Sequence, residues 1–135
     1  MKTLFKNLLC ILGASLFLVS CNNDDDGDDL DREAEARIEC EQAISDSKGT
    51  VCCTLGAATA SPGDLKTYEY NNNFNFIDVE WEILSGDITI VSEDDTFATA
   101  EVSFGPNFTG GTIKARAQDG NNGPACSDSW EITVD

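Results

Sequence analysis

The sequence predicts an all-β protein, an antiparallel β-sandwich of about seven strands that follows a short helix and a disordered acidic tether. From residue 48 onward, apolar and polar residues alternate with the period of a half-buried strand. Before that point, an apolar segment, an acidic run and an Ala- and Glu-rich stretch follow one another. The chain therefore divides into residues 1–20, 21–29, 30–47 and 48–135.

Length and charge exclude several classes of protein. The chain has 135 residues, which allows one domain of ordinary size and an additional segment. Its 8 basic residues against 25 acidic ones give a net charge of -17, which argues against binding to nucleic acid and against electrostatic docking to anionic lipid. Histidine is absent, so the most frequent general base and zinc ligand is missing. We expect no enzymatic activity and no cofactor.

The N-terminal segment has the three parts of a secretory signal. Lys2 and Lys6 are its charges, residues 8–19 form a nearly continuous apolar run, and a small residue, Ser20, precedes Cys21. The run is shorter than a transmembrane helix, which needs about 20 residues. An ordinary signal peptide with another cleavage site is the alternative, although no Ala-x-Ala site follows the run.

The end of this segment resembles the lipobox of bacterial lipoproteins, whose four positions are filled by Leu18, Val19, Ser20 and Cys21. The resemblance implies cleavage between Ser20 and Cys21, a diacylglycerol group on the Cys21 sulfur and acylation of the new amino group. Two or three acyl chains hold a protein stably on a membrane, whereas one holds it only marginally. The membrane is therefore an expected partner through Cys21, and Cys10 belongs to the discarded segment.

Residues 22–31 read NNDDDGDDLD and form the acidic tether. Repulsion between like charges extends such a run, so it would serve as a solvated spacer between membrane and domain. An acidic run directly after a lipidated cysteine also resembles the export signal of Bacteroidetes-type surface lipoproteins. That resemblance assigns the signal to Asp24, Asp25 and Asp26. It implies a lipid anchor on the outer membrane with exposure at the cell surface, the periplasmic face being the alternative.

Two acidic groups are weak calcium candidates, and no specific metal site is predicted. In the first, an EF-hand loop is nearly matched by Asn22, Asp24, Asp26, Gly27 and Glu33. No helix is predicted before this run, Asn replaces the first Asp, and low-complexity acidic runs match the pattern by chance. The second group, Glu93-Asp94-Asp95, lies in a predicted loop, where a solvated acidic loop is the simpler interpretation.

Residues 30–47 have the composition of a helix, with Ala, Glu and Arg dominant and acids in the first turn, where the helix dipole favours them. The apolar stripe is thin, so the helix would be marginal alone and needs docking. Cys40 sits between turns of this stripe and offers a covalent way to dock it. Lys48-Gly49 ends the helix.

Alternation predicts strands at residues 51–55, 65–70, 77–83, 88–91, 98–104, 113–118 and 130–134. Turn-forming residues separate the runs, as in Ser61-Pro62-Gly63-Asp64, Asn71-Asn72-Asn73 and Ser85-Gly86-Asp87. Each strand would have one face on a core and one in water. Short antiparallel strands of this kind within one domain predict an immunoglobulin-like β-sandwich.

The segments of residues 50–135 also resemble, in their order, the PKD-like domains of bacterial surface proteins. The resemblance is carried by Thr67-Tyr68, Val79-Glu80-Trp81, Leu84-Ser85-Gly86-Asp87-Ile88, Ala100-Glu101-Val102-Ser103-Phe104, Gly111-Thr112-Ile113 and Cys126. The best-known W-D-F-G-D-G turn of PKD domains is absent, and residues 81–87 stand near its place, which suits the PKD-like variant. The resemblance implies adhesion or spacing, with no catalytic group to carry over.

Cysteines in an exported chain are expected to form disulfides, and four remain after Cys21: Cys40, Cys52, Cys53 and Cys126. A bridge between the neighbours Cys52 and Cys53 would be strained. Cys53 shares the parity of the apolar residues in its strand, and Cys126 shares that of Trp130, so both should point inward. We therefore expect Cys53–Cys126 inside the sandwich and Cys40–Cys52 between helix and strand. A bulge in either strand would exchange Cys52 and Cys53.

Four aromatic residues flank the turn at residues 71–73 and are the candidate ligand-binding residues: Tyr68, Tyr70, Phe74 and Phe76. If exposed, they would form a platform for a sugar or a peptide, and otherwise they would pack in the core or at its edge. Lys114 and Arg116 form a small basic strip, which we expect to pair with neighbouring carboxylates.

The leading hypothesis for function is a lipid-anchored envelope or surface protein whose β-sandwich binds a protein or glycan partner without catalysis. The alternative is an anchored inhibitor or immunity-type protein whose acidic surface covers a basic partner, because the net charge is -17. A small enzyme ranks last, because the sequence has no recognisable catalytic constellation.

Overall fold

The computed structural model of the chain describes residues 27–94, 98–120 and 125–135. Several predicted features lie outside these residues: the signal segment with Ser20 and Cys21, the acidic residues Asp24 to Asp26, and Asp95. The described part contains one helix, α1 (Gly27–Asp46), and eight strands. The strands are β1 (Cys52–Leu55), β2 (Thr59–Ala60), β3 (Leu65–Asn72), β4 (Phe76–Ser85), β5 (Ile88–Asp94), β6 (Thr99–Phe104), β7 (Gly111–Asp119) and β8 (Ala125–Val134).

The strands form two four-stranded sheets that pack face to face. The first has the order β1-β3-β6-β5 and the second the order β2-β8-β7-β4. Written in the strand letters of immunoglobulin domains, these orders are A-B-E-D and C-F-G, with β2 added beside the last strand. The prediction of an immunoglobulin-like β-sandwich is thus confirmed.

Strand β2 is the element that the alternation pattern missed. It has two residues, Thr59 and Ala60, which pair in parallel with Thr133 and Val134 of β8. Two residues are too few to show a period of two, and the described part of the sandwich has eight strands rather than about seven. The remaining pairs are antiparallel, as expected.

The core lies between the sheets and consists of two clusters of buried side chains. The larger cluster is built around Tyr68, Val102, Phe104, Phe108, Ile113 and Ile132. The smaller one contains Tyr70, Val79, Ala98, Ala115 and Ala117. Alternation in the burial of β6 and β7 produces this core, because every second residue of each strand faces the opposite sheet.

Helix α1 is part of the fold rather than a separate spacer. It begins at Gly27, earlier than predicted, and it contacts β1. Arg37 donates a hydrogen bond to Glu69 of β3, with 3.1 Å between Nη2 and Oε2, and the Arg32 guanidinium lies 5.7 Å from the centroid of the Trp130 ring. The helix therefore covers part of the outer side of the first sheet.

The disulfides join Cys40 to Cys53 and Cys52 to Cys126, so the predicted pairing was wrong. Cys52 packs against the smaller core cluster and bridges to β8 on the inner side. Cys53 points to the other face of β1, towards the helix. The error has a physical origin: both faces of β1 are covered, so its apolar residues do not mark the inner face. Leu55, on the Cys53 side, is 1% exposed.

Tyr70 links the two sheets from within the core. Its ring is 2% exposed, and its hydroxyl donates a hydrogen bond of 3.0 Å to the carbonyl oxygen of Cys126 in β8. The pKa of Tyr70 is raised to about 12, mainly because the buried phenol would lose its hydration on ionising and to a smaller extent by the charge of Asp128, while a backbone hydrogen bond at Ala117 lowers it.

The observed disulfide pairing predicts which cysteine becomes a free thiol when a single cysteine is replaced. Replacing Cys52 with Ser should leave a free thiol at Cys126, since Cys40 stays bonded to Cys53. Alkylation under non-reducing conditions followed by peptide mass spectrometry locates that thiol. Cys53→Ser is the matched control and should free Cys40 instead. Alkylation of Cys40 in Cys52→Ser would contradict the pairing.

Alkaline titration tests the role of Tyr70. Because its folded-state pKa lies above the ordinary value of 10.0, its contribution to stability is complete below pH 10 and is lost as the pH rises through about 12. Tyr70→Phe should cost about 1 kcal/mol at neutral pH, through the lost hydrogen bond, and should lose less stability over that pH range. Denaturant unfolding measured at several pH values compares the two proteins.

The ionisation of Tyr70 can also be measured directly, because the chain has 2 tyrosines. In Tyr68→Phe, Tyr70 is the remaining tyrosine, and the ultraviolet absorbance of tyrosinate reports its ionisation alone. An ionisation midpoint near 10 in the folded protein would contradict its burial.

Candidate functional site

The four aromatic residues that flank the turn at residues 71–73 do not form an exposed platform. Tyr68 is 0% exposed and Tyr70 is 2% exposed, and the Tyr68 hydroxyl donates to the carbonyl oxygen of Ala57 at 3.1 Å. Phe74 and Phe76 are half-buried and pack against the smaller core cluster. The Phe76 ring meets the Tyr70 ring edge-to-face, with 6.4 Å between centroids. Of the two alternatives given for these residues, packing in the core or at its edge is confirmed.

The spacing of Tyr68 and Tyr70 in the sequence indicates that their side chains lie on the same face of their strand. Residues 68 and 70 of one strand lie on the same face, and β3 is an interior strand of its sheet. Large aromatic side chains on the inner face of such a strand fill the core, and their hydroxyl groups find carbonyl partners there. Alternation could have placed them inside once β3 was assigned to the middle of a sheet.

The two described residues of the second calcium candidate lie on a strand. Glu93 and Asp94 are exposed and belong to the end of β5, where they pair with Ala100 and Thr99, rather than to a loop. Adjacent residues of a strand point to opposite faces, so the two carboxylates diverge. Among the residues that the structure describes, no group of three or more His, Cys, Asp or Glu side chains could hold a metal ion. No helix in that same part of the chain is long and apolar enough to span a membrane.

The outer face of the second sheet presents a group of charged side chains, here called the charged face: Glu80, Glu82, Lys114 and Arg116. Glu80 lies opposite Arg116, and Glu82 opposite Lys114, in the register of β4 and β7. The carboxylate and the cation approach to 3.6 Å in the first pair and to 3.9 Å in the second. The expectation that the basic strip pairs with neighbouring carboxylates is thus confirmed.

These ion pairs are exposed, which limits what they do for the fold. The side chains of Glu80 and Arg116 are 76% and 52% exposed. Pairs of this kind contribute little to stability, because water and salt screen them. Their charges consequently remain accessible to a partner.

Two shallow depressions lie on the charged face, and Glu80 and Arg116 line both of them. Asp78 and Gln118 extend the first, whereas Trp81 belongs to the second. In the neighbouring strand β8, Ser127 and Ser129 are exposed and stand in register with Arg116 and Lys114. The arrangement is a flat, polar sheet face that can form hydrogen bonds and ion pairs with a partner surface.

The sequence predicts which residues of this face point outward, but it does not predict which strands lie next to each other. Alternation in β4 and β7 identified which side chains point outward, since Glu80, Glu82, Lys114 and Arg116 interleave with apolar residues. It left open which strand lies beside which, because that is a matter of tertiary pairing. The pairing of β4 with β7, which have two strands between them along the chain, completes the charged face.

Comparison with known proteins finds a similar solved structure but no family. No family model matches the chain, and no curated protein matches it. Among solved structures, a chimeric titin Z1Z2 functionalized with a KLER exogenous peptide from decorin is similar at 12% sequence identity. The match has a TM-score of 0.37 and covers 64% of this chain and 97% of that one.

Proposed function

We propose that this chain is a lipid-anchored protein of the cell envelope whose β-sandwich is a binding module without catalysis. The binding role is supported by a difference between the two sheets: the helix covers part of the outer side of the first sheet, and the outer side of the second is exposed. Helix α1 is bonded to the outer side of β1, whereas the described residues leave the charged face of the second sheet exposed. A sheet face built this way suits contact with a protein or glycan partner.

The anchor rests on the sequence. Leu18-Val19-Ser20-Cys21 closes the apolar segment, and the acidic residues Asp24 to Asp26 follow it. Cys21 would carry the lipid, and the acidic run would direct the protein to the outer face of the outer membrane. Membership of the PKD-like domains, with a role in adhesion, belongs to the same proposal and is supported by the immunoglobulin-like strand order.

A second candidate is an anchored inhibitor or immunity-type protein that covers a basic partner. The favouring observation is that four of the cations in the described part of the chain lie beside carboxylates. Arg37, Lys66, Lys114 and Arg116 lie 3.1, 3.5, 3.9 and 3.6 Å from a carboxylate oxygen. Acidic residues outnumber basic ones, so the carboxylates in excess give a negative surface that attracts a positively charged partner.

Fractionation of cells tests the anchor. Replacing Cys21 with Ser removes the sulfur that would carry diacylglycerol, so the protein should move from the membrane fraction to the soluble fraction. Cys10→Ser is the matched control and should leave the distribution unchanged. Retention of Cys21→Ser in membranes would contradict the lipid anchor.

Capture from envelope extracts tests the charged face. The double variant Glu80→Ala/Glu82→Ala should bind its captured partner about tenfold more weakly, which corresponds to about 1.4 kcal/mol. Glu35→Ala/Glu39→Ala removes the same charge from exposed positions of α1 and should bind as the wild type does. Equal capture by the two double variants would argue against this face.

Salt separates the two candidate functions. At about 1 M salt the Debye length falls to about 3 Å, so binding through a negative surface to a basic partner should weaken strongly. Capture that persists unchanged at high salt would exclude the inhibitor-type role and leave the binding module.

A further inference from the structure

Helix α1 lies alongside β1 and runs in the opposite direction. Three contacts establish this order. Cys40 is bonded to Cys53, Arg37 contacts Glu69, which pairs with Leu55, and Arg32 lies over Trp130, whose indole nitrogen donates to the Ala57 carbonyl at 3.0 Å. As the helix is followed towards its N-terminus, its contacts therefore advance along the chain from residue 53 to 55 to 57.

The lengths of the two segments agree with a helix that lies side by side with β1 and runs antiparallel to it. The eight residues from Cys40 back to Arg32 span about 12 Å of helix at about 1.5 Å per residue. The four residues from Cys53 to Ala57, of which the first part belongs to β1, span at most about 13 Å at about 3.3 Å per residue. The start of the helix at Gly27 lies about 7.5 Å further on, which is the level of β2.

The two ends of the sandwich can now be distinguished. The anchor pole, defined by the turns at residues 61–64, 86–87 and 105–110, lies where β2 ends and where α1 begins. The far pole, defined by the turn at residues 73–75 and by Gly120, lies where α1 ends. Asn73 of that turn donates a hydrogen bond from Nδ2 to the Gly49 carbonyl, and its Oδ1 accepts one from the Val51 amide, which tie the end of the helix to the far pole.

The chain length before the helix decides which pole lies near the lipid. From Cys21 to Gly27 the chain can extend at most about 20 Å. The helix, with 20 residues, separates Gly27 from the far pole by about 30 Å. An anchor at Cys21 therefore reaches the anchor pole easily and the far pole only with difficulty.

We infer that the bonded helix orients the sandwich on the membrane, with the anchor pole towards the lipid and the far pole directed away from it. This inference rests on the proposed lipid anchor at Cys21. The Cys40–Cys53 disulfide acts as the fixing bond, because the exposed ion pair and ring contact of the helix are weak by comparison. Strands β4, β7 and β8 then run between the anchor pole and the far pole, so the charged face lies on the side of the sandwich, where a partner can approach it.

Energy transfer on vesicles tests the orientation with the full-length lipidated protein. A fluorophore is attached through a non-canonical amino acid at exposed Asn107, at the anchor pole, or at exposed Asn75, at the far pole. Vesicles of phosphatidylcholine and phosphatidylethanolamine carry an acceptor on their headgroups. Transfer should be several-fold more efficient from position 107 than from position 75. Equal transfer from both positions, or stronger transfer from 75, would overturn the inference.

Two disulfide variants identify what holds the orientation. Cys40→Ser/Cys53→Ser releases the helix, and the difference between the two labels should shrink. Cys52→Ser/Cys126→Ser removes the other disulfide and should keep the difference; circular dichroism confirms that each variant is folded. The difference between the two labels in the wild-type protein still tests the orientation where a variant does not fold.

The same samples separate this inference from the proposal on which it rests. Flotation of the vesicles reports whether the protein is bound at all. A protein that stays in solution would overturn the lipid anchor and the orientation with it. A protein that floats with the vesicles but shows no difference between labels would overturn the orientation alone.

Discussion

Strand β1 is held from both faces by two adjacent cysteines, and the rest of the architecture depends on this constraint. Neighbouring residues of a strand point in opposite directions, so Cys52 reaches β8 across the core while Cys53 reaches the helix outside it. The inner bond closes a separation of 74 residues and the outer one a separation of 13. In the chain-entropy model these loops contribute about 4.5 and about 3 kcal/mol, which is large for a domain of this size.

Polar contacts reinforce the junction that the inner disulfide makes between the sheets. The buried Thr54 follows the two cysteines, and its amide donates to the Asp128 carboxylate at 2.7 Å, while its hydroxyl donates to the Asp128 carbonyl. Tyr70 adds its bond to the Cys126 carbonyl from the inner face of β3. Because these groups are shielded from water, leaving any one of them unpaired would be costly. The edge of the sandwich at β1 and β8 is consequently closed by covalent and hydrogen bonds as well as by packing.

The outer disulfide attaches helix α1 to the domain. A thin apolar stripe gives α1 little tendency to fold alone, and its arginines supply only surface contacts with Glu69 and Trp130. Bonded to β1, it is attached along the side of the sandwich. The sheet beneath it loses part of its outer face as a binding surface, which leaves the charged face of the other sheet as the more accessible one.

Alternation in the sequence predicted the strands β1 and β3 to β8 and the outward position of Glu80, Glu82, Lys114 and Arg116, and composition predicted the helix. The export context also singled out the four bonded cysteines. Tertiary structure alone decided which cysteine pairs with which, that β2 exists, and which strands complete the charged face. The physical reason is common to these cases. A period of two separates the two faces of a strand but does not say what covers each face, and at β1 the helix covers the face that water would otherwise occupy.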